Sequence, residues 1–147
     1  MIIVIADTSG LIAGLDRHHP EHAAANEAIL SAGLLVVSPL LLAELDHVVS
    51  RNLGRAAAVS AVDDITRAMR AGRVTVPEIT EQHLSAAQGL RGRYRDLDLD
   101  LADAVHVALA ADFDTDAILT LDRRDFRAVR PLSAHKAFRV LPDDLPV

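Results

Sequence analysis

The stretch IIVIADTSG, residues 2–10, decides how the chain is read. Its β-branched apolar run, Ile2 to Ile5, passes through Ala6 and stops at Asp7-Thr8-Ser9-Gly10, residues that favour turns and helix starts. No polar residue alternates within the run, so it predicts a strand buried on both faces and ending on a carboxylate.

The same reading extends along the chain. An Ala-rich helix is expected over about 21–32, stopped by Gly33, with a second buried strand at Leu34 to Val37. Ser38 and Pro39 are an N-cap and a first helical residue, opening a helix to about Ser50. A further helix over about 55–71 ends at Gly72, and Val74 to Pro77 is a short strand. Beyond it come a helix from Thr80 to about Arg93, a polar loop over 94–100 expected to be mobile, and an apolar helix over 102–111. Asp112 to Asp116 reads as a turn, Ala117 to Leu121 as a strand ending on Asp122, and Phe138 to Leu141 as a last strand. Strands alternating with helices predict an α/β fold, a mainly parallel sheet covered on both faces.

The chain has 147 residues, half of them apolar, which suits one domain with one well-buried core. Absence of cysteine excludes disulfides, zinc–thiolate sites, iron–sulfur clusters and cysteine nucleophiles. The apolar start is too short for a membrane span and lacks a basic leader, so a cytoplasmic protein is expected. A formal charge of −6 speaks against a generic nucleic-acid coat. If several carboxylates are gathered to hold divalent cations, that formal charge overstates the negative potential a bound substrate would meet. Every basic residue except Lys136 is arginine, which fits either bidentate phosphate contacts or a coding bias.

Four carboxylates carry the functional reading. Ligands bind where the strand ends of such a sheet meet the following helix starts. Asp7 and Asp122 end strands, and the helix carrying Asp103 returns through a short turn, bringing its start beside Asp122. Glu44 lies near the start of its helix, with a side chain that leans back toward that start. Glu44 and Asp103 each interrupt an apolar helical face, where an uncompensated carboxylate is costly. Clustered carboxylates raise one another's pKa unless cations sit between them. An all-oxygen donor set favours Mg²⁺ or Mn²⁺, one or two ions, suited to phosphodiester displacement by activated water. Singly, each aspartate also reads as a helix cap, Asp122 ahead of Arg123-Arg124-Asp125 in particular.

Taken in order, Ile3-Val4-Ile5-Ala6-Asp7-Thr8-Ser9, Val37-Ser38-Pro39 to Ala43-Glu44-Leu45, Leu101-Ala102-Asp103-Ala104 and Leu119-Thr120-Leu121-Asp122 to Phe126 resemble the PIN domain, and especially VapC toxins. The likeness covers nearly the whole chain and implies a PIN-like three-layer sandwich, one domain over residues 1–147. It implies an endoribonuclease, the toxin of a toxin–antitoxin pair, cutting tRNA or rRNA to leave a 5′-phosphate and a 3′-hydroxyl. It further implies Mg²⁺ or Mn²⁺ at Asp7, Glu44, Asp103 and Asp122; orienting hydroxyls from Thr8, Ser9 and Thr120; and RNA contacts from Arg123 and Arg124. Partners implied are RNA, a VapB-type antitoxin and a second copy of the chain, with no membrane.

Asp46, His47 and His106 are not part of that pattern. Glu44-x-x-His47 and Asp103-x-x-His106 invite a di-iron bundle, against which the strands speak. His106 reads as an interior or surface histidine, with a place near the scissile phosphate open. An aspartate-nucleophile phosphatase wants a second Asp where Ser9 stands, and a receiver domain wants an acidic pair after its first strand. A catalytically inert PIN fold, binding RNA or protein, is the non-enzymatic alternative. Arg91, Arg93, Tyr94 and Arg95 are candidates for choosing the RNA.

Overall fold

The computed structural model describes residues 1–146. In chain order the elements are β1 (Ile3–Ala6), α1 (Thr8–Leu15), α2 (His22–Ser31), β2 (Leu34–Val36), α3 (Pro39–Leu53), α4 (Arg55–Arg70), β3 (Val74–Thr75), α5 (Glu81–Arg93), α6 (Leu101–Asp112), β4 (Ala117–Leu119), α7 (Arg123–Ala128) and β5 (Arg139–Leu141). The strands form one sheet in the order β3-β2-β1-β4-β5, and every pairing is parallel. The α/β sandwich expected from the sequence is therefore present, with a wholly parallel sheet.

Side chains alternate across each strand, and the two faces feed two halves of the core. Val4, Ala6, Leu35, Val37, Ala117 and Leu119 pack with buried residues of α1 to α4, among them Leu11, Leu41, Leu45 and Ile65. Ile5, Val36, Ile118 and Val140 pack on the other face with Leu90, Val105, Leu109 and Phe126. Both faces are covered, as a parallel sheet of short apolar strands requires.

Ser38 caps α3 as expected, its hydroxyl accepting from the Leu40 N–H at 3.1 Å, with Pro39 following. Two helices begin where the sequence offered a turn or helix start (Asp7 to Gly10) and a helix cap (Asp122), but their extents go beyond that reading. α1 carries Gly10 and Gly14, poor helix formers that hide it in a propensity argument. Packing explains Gly10: a Cβ there would lie 2.6 Å from the Leu119 carbonyl oxygen, so α1 approaches β4 more closely than any side chain allows. α7 is only six residues long and is anchored by the fully buried Phe126.

The 94–100 segment is anchored at several points where a mobile loop was expected. Arg91 Nε donates to the Leu99 carbonyl at 3.1 Å, Leu99 is buried, and the Tyr94 hydroxyl accepts from the Arg130 N–H at 3.1 Å. The half-buried Tyr94 side chain packs against the second half of the core. Among the described residues no helix is long and apolar enough to cross a membrane.

Strand order reverses at β1. The chain runs from β1 outward through β2 to β3, then returns to place β4 on the other side of β1. Helices diverge at such a switch point and leave a crevice beyond the strand ends. Asp7 follows β1, and Thr120 and Asp122 follow β4, so that crevice is acidic.

Candidate metal centre

Register fixes the first part of the site. Ala6 pairs with Leu119, and the Asp7 N–H donates to the Leu119 carbonyl at 2.9 Å, which sets Asp7 beside Thr120 just past the ladder. The Thr120 hydroxyl donates to Asp7 Oδ2 at 2.7 Å, and the Ser9 hydroxyl donates to the same oxygen at 3.3 Å. Ser9 Oγ also accepts from the Leu121 N–H at 3.0 Å, and Thr120 Oγ1 accepts from the Asp122 N–H at 2.9 Å. Two hydroxyls thus hold one oxygen of Asp7 and tie the end of β4 to it. Thr8 is buried too, but its hydroxyl finds no partner among the described residues; its N–H, not its side chain, serves Asp7.

Asp7 Oδ1 faces α6. Asp100 caps that helix, accepting from the Asp103 N–H at 2.8 Å, and Asp103 sits in the first turn. One turn further in, on the same side of the helix, His106 is fully buried, with Nδ1 3.4 Å from Asp7 Oδ1. Asp122 is the N-cap residue of α7, and its side chain makes no capping bond; Asp125 stands one turn on. Donor atoms of Asp7, Asp103 and His106 lie within 4.8 Å of one another, and so do those of Asp103, Asp122 and Asp125. Asp103 belongs to both groups.

The electrostatics follow from this crowding. Burial pushes the Asp103 carboxyl up, and the charges of Asp7, Asp100, Asp122 and Asp125 push it further, to about 8. Asp122 is raised as well, by burial first and then by Asp125 and Asp7. Burial also works to raise Asp7, but the adjacent His106 imidazole, the Thr120 hydroxyl and the Thr8 N–H outweigh it and hold that carboxyl below its usual range. One carboxylate is thus kept ionised while its neighbour clings to a proton. A divalent cation is the group whose arrival would relieve the repulsion, and a mainly carboxylate donor set fits a hard cation.

Glu44 is placed otherwise than its apolar flanks suggest. The buried stripe of α3 is Leu41, Leu45 and Val49, and Glu44 lies beside it, exposed, in neither donor group. Its neighbours Leu40 and Val48 are apolar, so sequence alone made the face look wider than it is. Asp46 and His47 are exposed as well, and His47 Nε2 lies 3.2 Å from Arg51 on the same helix. Asp125 and Asp100 were missed; the signals were a helix-face spacing of three after Asp122 and a capping position before Asp103.

The two arginines differ in setting. Arg123 donates from Nε and Nη2 to the Asp143 carboxylate at 2.5 and 2.9 Å, and from Nη2 to Glu21 at 2.5 Å. It therefore straps α7 to the start of α2 and to the C-terminal segment, and Arg127 adds a two-pronged pair with Asp144 at 2.6 and 2.7 Å. Arg124 is exposed and makes no ion pair among the described residues, within 4 Å.

Comparison with known proteins gives the same reading. Residues 4–131 match the PIN domain family. Ribonuclease VapC26 of Mycobacterium tuberculosis is 39% identical over 140 residues, spanning 95% of this chain and 100% of the relative. Among solved structures, the Sarcin-Ricin loop cleaving toxin VapC20 of Mycobacterium tuberculosis superposes with a TM-score of 0.71 at 21% identity, covering 82% of this chain and 91% of that one. VapBC2 of Rickettsia felis, bound to a DNA fragment from its promoter, gives 0.67 at 16% identity, covering 95% and 98%. At such identities the two structures speak for the fold alone.

Proposed function

The chain belongs to the PIN domain family, and from that footing we propose that it is a divalent-cation-dependent endoribonuclease, the toxin of a toxin–antitoxin pair. The observation that carries the reading is the meeting of Asp7, Asp103 and Asp122 at the switch-point crevice, with Asp103 pushed up to about 8. Structural carboxylates at strand ends are ordinarily capped or paired. Asp7 is held by hydroxyls, whereas Asp103 and Asp122 make no ion pair among the described residues and are pushed up by burial and by neighbouring charges that include its own.

We assign Asp7, Asp103 and Asp122 as cation ligands, with Asp125 beside them and Glu44 as a further carboxylate near the start of α3. When bound, Mg²⁺ or Mn²⁺ would supply charge neutralisation at the scissile phosphodiester and a lowered pKa for attacking water. Thr120 and Ser9 fix the rotation of the Asp7 carboxylate by occupying Oδ2, which leaves Oδ1 directed into the crevice. Arg124 is free to meet the RNA backbone, while Arg123, also proposed for that contact from the sequence, serves first as the strap that holds α7 and hence Asp122. The likeness to VapC toxins makes an antitoxin of the VapB type the expected partner.

Incubating bulk RNA with the protein and Mn²⁺, against Asp7→Asn and a chelator control, tests the reading. Cleavage that leaves 5′-phosphates and disappears in both controls is expected. Equal cleavage by the Asp7→Asn protein would remove this site from the chemistry, and no cleavage by any sample, with Mn²⁺ bound, would favour the inert PIN module.

A further inference from the structure

We propose that His106 Nδ1 is a nitrogen ligand of the inner of two cation positions, which makes the two positions chemically unequal. The inference rests on the metal-dependent reading above and deepens it. Asp103 is common to both donor groups, so it divides the crevice into an inner position with Asp7 and His106 and an outer one with Asp122 and Asp125. The outer group is all carboxylate and half-buried throughout; in the inner group both Asp7 and His106 are buried.

His106 has no surface exposed, and neither ring nitrogen has a hydrogen-bond partner among the described residues. A buried polar group without a partner costs about 1–3 kcal/mol, so this imidazole calls for an explanation. Nδ1 lies 3.4 Å from Asp7 Oδ1, outside good hydrogen-bond range but at a spacing two donors adopt around one cation. Asp7 Oδ2 is already engaged by Thr120 and Ser9, which leaves Oδ1, the oxygen facing His106, as the donor. Asp103 and His106 are three residues apart on α6 and so project to the same side. Coordination through Nδ1 fixes the imidazole proton on Nε2.

A nitrogen donor has a consequence for selectivity. Imidazole suits transition metals, whereas Mg²⁺ prefers oxygen and keeps several waters. The inner position is therefore expected to prefer Mn²⁺ to Mg²⁺, and the outer one to accept either.

Electron-spin-echo spectroscopy of the wild-type protein with Mn²⁺ tests this directly. Nitrogen modulation from a directly bound imidazole is expected, lost in His106→Gln together with about tenfold or more of the tighter Mn²⁺ affinity. The preference for Mn²⁺ over Mg²⁺ in competition titrations should shrink in the same variant. Mn²⁺ bound without nitrogen modulation in the wild type would overturn the assignment and leave the carboxylate site standing, with His106 merely packed beside Asp7. Failure of the wild type to bind Mn²⁺ at all would instead sink the metal-dependent reading on which the assignment rests. The wild-type spectrum decides the matter even if His106→Gln does not fold.

Discussion

Replacing Asp103 by asparagine is expected to stabilise the metal-free protein, and the gain should grow as the solution becomes more alkaline. The folded site holds the Asp103 proton up to about 8, against an ordinary aspartate value of 3.8, because of burial and then the charges of Asp7, Asp100, Asp122 and Asp125. Between those values the unfolded chain has released a proton that the folded chain keeps, so stability falls as pH rises through the window. At about 1.4 kcal/mol per pH unit, the interval from the ordinary value to neutrality corresponds to roughly 4 kcal/mol. Asp103 is only half-buried, and solvent screening reduces this to about 2 kcal/mol. Asparagine removes the charge while keeping the shape, so the variant should gain about that much at neutral pH and under about 1 kcal/mol near pH 5. Urea unfolding in a chelator, with unchanged m-values, measures the difference. Saturating Mn²⁺ should then reverse the order, since a ligand present at a hundred times its Kd stabilises the wild type by about 2.7 kcal/mol. A gain that is absent, or that shrinks from acid to alkaline pH, would contradict the picture of carboxylates crowded without relief.

Three further perturbations probe the supports of the site. Thr120→Val keeps the shape of the side chain but strips a bond from buried Asp7 Oδ2 and a partner from the Asp122 N–H, so thermal or urea unfolding should show a loss of about 1–3 kcal/mol and RNA cleavage should fall. Gly10→Ala puts a Cβ 2.6 Å from backbone that cannot yield, so about 1–3 kcal/mol should be lost and Mn²⁺ affinity should drop as α1 shifts against β4. Arg123→Gln releases the strap between α7, Glu21 and Asp143; Mn²⁺ affinity is expected to weaken along with cleavage, whereas Arg124→Gln should weaken RNA binding and leave Mn²⁺ affinity unchanged. Identical behaviour of the two arginine variants in the Mn²⁺ titration would remove the division of labour between them.

Strand and helix order were legible because burial imposes a period on local sequence. Unbroken runs such as Ile2 to Ala6 and Ala117 to Leu119 admit little but strands covered on both faces, and Ser38-Pro39 or Gly72 are strong punctuation. The same logic brought Asp7, Asp103 and Asp122 to one sheet edge, since parallel strands all end on the same side. The sequence marked a turn or helix start at Asp7 to Gly10 but not the extent of α1, where two glycines depress helix propensity and Gly10 meets β4, a contact visible only once that strand is in place. It was silent on the width of the apolar face of α3, which tertiary packing narrows to Leu41, Leu45 and Val49 and so leaves Glu44 in solvent.

Order along the chain told which residues are acidic and which elements end on them. Tertiary structure alone set their distances and their charges. The bond from Thr120 to Asp7 spans 113 residues and exists because Ala6 pairs with Leu119 rather than with a neighbour one step away. Burial of His106 and the rise of Asp103 are likewise collective, since desolvation and repulsion depend on what every packed element contributes, and no local pattern encodes that sum.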